Sequence, residues 1–268
     1  DLSEHGLVWI KPNQQTSMVF EDGNSLQLTR MLEDTVDSIH KFSTRDAQAF
    51  GETMRTWRKV AREIVAPATS IPPMAPLDLI EAMQRTEIGE VLLELSEQSP
   101  YEIITNTFED DRVRALMLYT TCMWGLDPHE SGVGFFVPLL LDRGMNKAYC
   151  QGGSHKLASS LAKEIIRAGG CILDSSQVNK ITTHDGAVTG VELWEGRTLT
   201  ADVVISSLDP ETTFLDLVGS ENLPGHLAND VSDWELDKWS YTTVHVATDE
   251  PPEYNCRDRS VRDSFMTI

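Results

Sequence analysis

Gln151-Gly152-Gly153-Ser154-His155-Lys156-Leu157 begins a stretch that runs to Ala201-Asp202-Val203-Val204-Ile205-Ser206-Ser207-Leu208-Asp209-Pro210 and decides how the chain folds. Gly152 and Gly153 allow a sharp turn that a Cβ would obstruct, and Ser154 is a capping residue for a helix that follows. Leu157, Ala158, Leu161, Ala162 and Ile165 recur at helical spacing, so one face of that helix is built for burial. Gly169-Gly170 stops it. Beyond the stop, Ile172-Leu173 and Val178 to Ile181 read as short strands. Asp185-Gly186 and Glu195-Gly196 are turns between further β runs. Val203 to Ile205 reads as a buried apolar strand. The expected order is a turn, a helix, a strand, a small meander and a closing strand.

This order resembles the FAD-dependent oxidoreductase superfamily of phytoene desaturases, retinol saturase-like proteins and flavin amine oxidases. The resemblance is carried by the paired glycines, Val178-x-x-Ile181, Gly190-Val191, Gly196, Ala201-Asp202-x-Val204 and Ser207-x-Asp209-Pro210. It is nearest to the phytoene-dehydrogenase-related branch. The resemblance implies a mixed α/β (α+β) fold: a partial FAD/NAD(P)-binding-type domain plus a substrate domain with a β-sheet and a helical cap. Residues 1–148 would form the substrate domain and its cap, 149–218 the second segment of the FAD-binding domain, and 219–268 a return to the substrate domain. FAD would be the cofactor of the full-length protein, with Gly152, Gly153, Val178, Ser206 and Ser207 on the cofactor side. The implied substrate is an apolar small molecule, with a C–C bond, or less favourably an amine, as the reacting group. Peripheral membrane contact of the full-length protein is a further implication.

The superfamily also carries Gly-x-Gly-x-x-Gly between an N-terminal strand and a helix whose N-terminus takes the pyrophosphate. No such run is present. Gly152 to Leu157 is the nearest, and it has Ser154 and Leu157 at the third and sixth positions, although Asp174 follows at a suitable distance. The chain therefore reads as an internal piece of a larger protein. The alternative reading is a truncated, non-redox relative that binds an apolar ligand or a protein partner.

The chain of 268 residues with 40% hydrophobic content can bury one large or two small cores. A net charge of −20, from 42 acidic against 22 basic residues, argues against nucleic acid or an anionic membrane as the main partner. Cys122, Cys150, Cys171 and Cys256 form no Cys-x-x-Cys pair and fit reduced thiols in a cytoplasmic protein. The longest apolar run, Val133 to Leu141, is interrupted by Gly134 and Pro138 and is too short for a bilayer. It is either a core segment or the wall of a substrate tunnel.

Toward the N-terminus, Leu2 to Ile10 and Met18 to Phe20 read as strands, with a turn at Glu21-Asp22-Gly23-Asn24. Thr35 to Val65 reads as helical, with a start at Ser43. Ala47, Phe50, Met54, Trp57, Val60, Ala61 and Ile64 form its core stripe. Ala66 to Pro76 holds four prolines and reads as irregular. Helices are expected over Leu77 to Met83, Gly89 to Gln98 and Asp110 to Met123, with a helix-start signal at Thr105 and a loop over Trp124 to Gly132. Later, Glu211 to Val218 reads as helix, Trp239 to Thr248 as an alternating strand, and Asp249 to Asp263 as a surface loop.

The familiar catalytic constellations do not assemble. Ser154 and His155 are adjacent, so on a helix they point about 100° apart and cannot pair as nucleophile and base. His129-Glu130 lacks a second histidine for zinc, and nothing calls for a metal. Asp110-Asp111 fits a helix N-terminus. No motif marks a catalytic residue, which suits flavin chemistry, where the cofactor carries the reaction.

Overall fold

The computed structural model describes residues 1–72, 74–234 and 242–268. It divides into two compact units, Asp1–Ala158 with Trp239–Ile268, and Ser159–Lys238.

In the first unit, β2 (Gln14–Val19) lies between β3 (Ser25–Thr29), antiparallel, and β8 (Met266–Thr267), parallel. The turn between β2 and β3 contains Gly23 at φ 78°, a left-handed conformation suited to glycine. A separate two-stranded ribbon pairs β1 (Trp9–Ile10) with β4 (Tyr149–Cys150). The helices are α1 (Leu32–His40), α2 (Thr44–Lys59, continued as a π-helix over Val60–Val65 and an α-helical end over Ala66–Ala68, so the segment expected to be irregular begins in helix), α3 (Pro76–Gln84), α4 (Glu87–Ser96), α5 (Pro100–Thr107), α6 (Asp111–Cys122) and α7 (Phe136–Gly144).

Capping explains most boundaries. Ser43 Oγ accepts from Asp46 N at 3.1 Å, so the expected helix start is observed, but α1 and α2 are separate helices. Asp110 caps α6 through Arg112 N at 2.9 Å. Helix α5 was not expected. Its Ser99-Pro100-x-Glu102 start forms a capping box, whereas Thr105, read as a start, bonds back to Tyr101 O inside α5. The run Val133 to Leu141 enters α7 and buries Val137, Leu139 and Leu141, the core reading of that segment. Leu2–His5 is a 3-10 turn and not a strand, because Asp1 caps it and Gly6 ends it at φ 85°.

One core joins the helices to the sheet through Leu26, Leu28, Ile39, Phe50, Met54, Trp57, Ile104, Phe108, Leu116 and Leu141. Asp46 is buried with them. Its carboxylate accepts from Glu109 N at 2.9 Å and Asp110 N at 2.8 Å, tying α2 to the start of α6. Asp142 on α7 receives a two-pronged contact from Arg62 at 3.1 and 2.9 Å and lies 3.4 Å from Arg58 Nε.

The second unit contains most of α8 (His155–Arg167) and an antiparallel meander of β5 (Val178–His184), β6 (Ala187–Leu193) and β7 (Thr198–Thr200). Asp185 and Gly186, at φ 51° and 77°, make the expected hairpin turn. A π-helix (Glu211–Gly219) packs on β5, and α9 (Gly225–Ser232) packs on that π-helix.

Further expectations fail. Ile172-Leu173 and Val203 to Ile205 are not strands, and Ile205 is 92% exposed. A strand requires a neighbour for its N–H and C=O groups, and among the described residues neither segment has one. The apolar face of α8 is likewise open, with Leu161, Ile165 and Ile166 exposed. Residues 239–241 of the expected strand Trp239 to Thr248 lie outside the described residues; 242–248 form no strand, and Val244 and Val246 are exposed. The strand that returns to the first sheet is β8, held by Ile268 N donating to Ser17 O at 2.8 Å.

Candidate functional site

Gly152 and Gly153 have φ of 81° and 100° and form the turn from β4 into α8, where Gly153 N donates to Cys150 O at 3.0 Å. A Cβ at Gly152 would meet Lys156 Cε at 3.3 Å, and one at Gly153 would meet His155 Nδ1 at 3.3 Å. Val178 opens β5 opposite Leu193. Ser206 Oγ is 2.8 Å from Thr213 Oγ1 and accepts from Leu208 N at 3.1 Å; Ser207 is exposed. Asp209 accepts from Thr212 N and Oγ1, both at 2.8 Å, and those bonds hold its carboxyl below the usual range. The Asp209-Pro210 pair is thus the start of the π-helix.

Ser206 borders a mainly apolar cavity of about 250 Å³ with Ile181, Val188, Val204 and Phe214. Within the second unit the fold brings Ser206 to this cavity, while Val178 and Ser207 do not line it.

A second feature, on the first unit, was not visible in the sequence. Tyr149 packs at a tilt against Phe265 with ring centroids 5.8 Å apart, and β1 sets Ile10 opposite Tyr149. Tyr119 Oη reaches Met266 Sδ at 3.4 Å. Ile10, Tyr119 and Tyr149 are exposed, so this is an open face that carries aromatic rings. Lys147 belongs to it. Its Nζ donates to Thr16 Oγ1 at 2.7 Å and sits 5.1 Å from the Phe265 ring centroid. Its backbone is fixed by the buried Gln15, whose Oε1 accepts from Lys147 N at 2.6 Å and whose Nε2 donates to Lys147 O at 3.2 Å. Burial pushes the Lys147 ammonium down to about 8. Among the described residues no carboxylate ion-pairs with it and no His, Cys, Asp and Glu cluster could hold a metal ion. No helix among them is long and apolar enough to cross a membrane. The face joins residues from distant parts of the chain, and no local pattern could have announced it.

The family described as flavin containing amine oxidoreductase matches residues 4–213, and the chain belongs to that family. A limonene dehydrogenase component from Castellaniella defragrans is 33% identical over 279 residues, covering 100% of this chain and 51% of that protein. All-trans-zeta-carotene desaturase of Myxococcus xanthus is 25% identical over 228 residues, covering 85% of this chain and 42% of that protein. Among solved structures, an oxidoreductase from Methanosarcina mazei superposes with a TM-score of 0.50 at 19% identity, over 87% of this chain and 49% of that one, a likeness of fold. The chain spans about half the length of the curated relatives it matches.

FAD is the group expected in the full-length family. The residues present fit it in part. The Gly152-Gly153 turn has the left-handed backbone of a phosphate loop, but a Cβ there would crowd Lys156 and His155, and Ser154 and Leu157 stand where further glycines would admit a pyrophosphate. A complete dinucleotide cradle is not formed among the described residues.

Proposed function

We propose that this chain furnishes the substrate domain, residues 1–148 and 219–268, and one segment of the FAD domain, residues 149–218, of an FAD-dependent oxidoreductase acting on a C–C bond of an apolar small molecule. In this reading Gly152, Gly153, Val178, Ser206 and Ser207 lie on the dinucleotide side. The observation that carries it is the aromatic face of Tyr149 and Phe265, which suits a flat, uncharged substrate. Bound flavin would supply the hydride acceptor. The chain's own task is to bind and orient the substrate, which needs area and shape more than an acid–base pair. The cytoplasmic setting belongs to the same reading and is supported by four cysteines without a pairing motif. The incomplete phosphate cradle favours a second reading, a ligand-binding relative without redox activity.

The test is a titration with FAD, followed by flavin absorbance, of this chain and of the polypeptide carrying its flanking reading frame, and then anaerobic addition of neutral polyenes, terpenes and amines. Flavin bleaching by a neutral alkene is the expected result. Bleaching by amines alone would overturn the C–C reading, and absence of flavin binding by both polypeptides would establish the non-redox relative.

A further inference from the structure

We propose that Lys147 selects the substrate class: its ammonium, held on the ring of Phe265 within the aromatic face, excludes cationic amines and leaves the face to neutral unsaturated molecules. This rests on the reading of that face as substrate-facing.

Aromatic rings alone would favour the opposite choice. Ring faces attract ammonium groups, and Tyr119 and Tyr149 are exposed here. The protein's charge of −20 also draws cations toward its surface. Lys147 reverses the local sign. Its Nζ lies 5.1 Å from the Phe265 centroid, and Tyr149 packs on the same ring at 5.8 Å. Phe265 therefore already holds a cation. Thr16 Oγ1, a neutral acceptor at 2.7 Å, anchors Nζ without cancelling its charge. Gln15, clamped to both the N–H and C=O of Lys147, fixes the backbone from which the side chain extends. This is a positioned charge with no carboxylate partner among the described residues, unlike Arg62 and Arg112, which pair with Asp142 and Asp110. Because burial lowers its affinity for a proton only to about 8, the group remains mostly charged at neutral pH. A second ammonium about 6 Å away would bind about tenfold to a hundredfold less well than a neutral isostere at effective dielectrics suited to a protein surface.

The experiment is equilibrium dialysis of the phenethyltrimethylammonium cation and its uncharged tert-butyl isostere against wild type, Lys147→Arg, Lys147→Met and Tyr149→Ala, with Lys147→Gln in place of Met should Met disturb the circular dichroism spectrum. The isostere should bind wild type and Lys147→Arg at least about tenfold tighter than the cation, and the gap should close to within about threefold in Lys147→Met. Tyr149→Ala should weaken the isostere. A gap unchanged in the neutral variant, with isostere binding retained and Tyr149-dependent, would overturn the role of Lys147 and leave the substrate face standing. No isostere binding to wild type, or binding indifferent to Tyr149→Ala, would remove the substrate face and the role of Lys147 with it.

Discussion

Asp46 is the most informative residue to remove. It is fully buried and is the acceptor for two backbone N–H groups, Glu109 N at 2.9 Å and Asp110 N at 2.8 Å, just ahead of α6. Its negative charge also faces the positive end of that helix. Asp46→Ala takes the acceptor from both donors; because Glu109 is exposed and Asp110 half-buried, water replaces part of what is lost, and the loss should be about 1–3 kcal/mol. Asp46→Asn keeps one acceptor oxygen and turns an amide N–H₂ toward the other donor, so it should lose about half as much. Against a total stability of about 5–15 kcal/mol, either change is large. Urea unfolding followed by near-ultraviolet circular dichroism, to which buried Trp57 on the same helix contributes, measures the difference. Exposed Asp37 on α1 is the control, and its alanine variant should stay within about 0.5 kcal/mol. If Asp46→Ala matched that control, the carboxylate would not be the tie between α2 and α6.

Three further outcomes follow from the same geometry. Gly190→Ala, at φ 149° with its Cβ driven into Leu199 O, should force β7 away from β6 at a cost above about 2 kcal/mol, read as lost hydrogen-exchange protection at Ala201 N, which donates to Thr189 O. Asp142→Ala strips Arg62 of both contacts and Arg58 of its ion partner; because Arg62 is half exposed, the expected loss is about 2–3 kcal/mol, smaller in high salt. For Lys147, burial lowers the folded-state pKa to about 8 from 10.5, so between those values the unfolded chain binds more protons than the folded one. Wild-type stability should therefore rise relative to Lys147→Met as pH increases from about 8 toward 10.5, with a constant difference below that window. A flat difference across the window would mean that Lys147 is solvated.

Local chemistry was legible wherever a residue acts on its own neighbourhood. Ser43, Asp110 and the Asp185-Gly186 turn behave as their types dictate, because caps and tight turns close within a few residues. The Ser99-Pro100-x-Glu102 capping box is equally local, and only the competing signal at Thr105 obscures it. Apolar pattern was less reliable. Val137 and Leu141 are buried as their run suggested, yet Val203 and Ile205, with the same composition, are exposed. Pattern states that a segment is fit for burial; a partner must supply the covering surface.

The sequence by itself determined the family, the mixed α/β class, the helix starts at Ser43 and Asp110 and the meander from Val178 to Thr200, carried by short-range spacing and turn residues. The tertiary structure alone decided which apolar segments find partners, that β8 joins β2, and that Lys147 meets Thr16 and Phe265. Those contacts join residues more than a hundred positions apart, and their energy depends on distance in space, which no local spacing encodes.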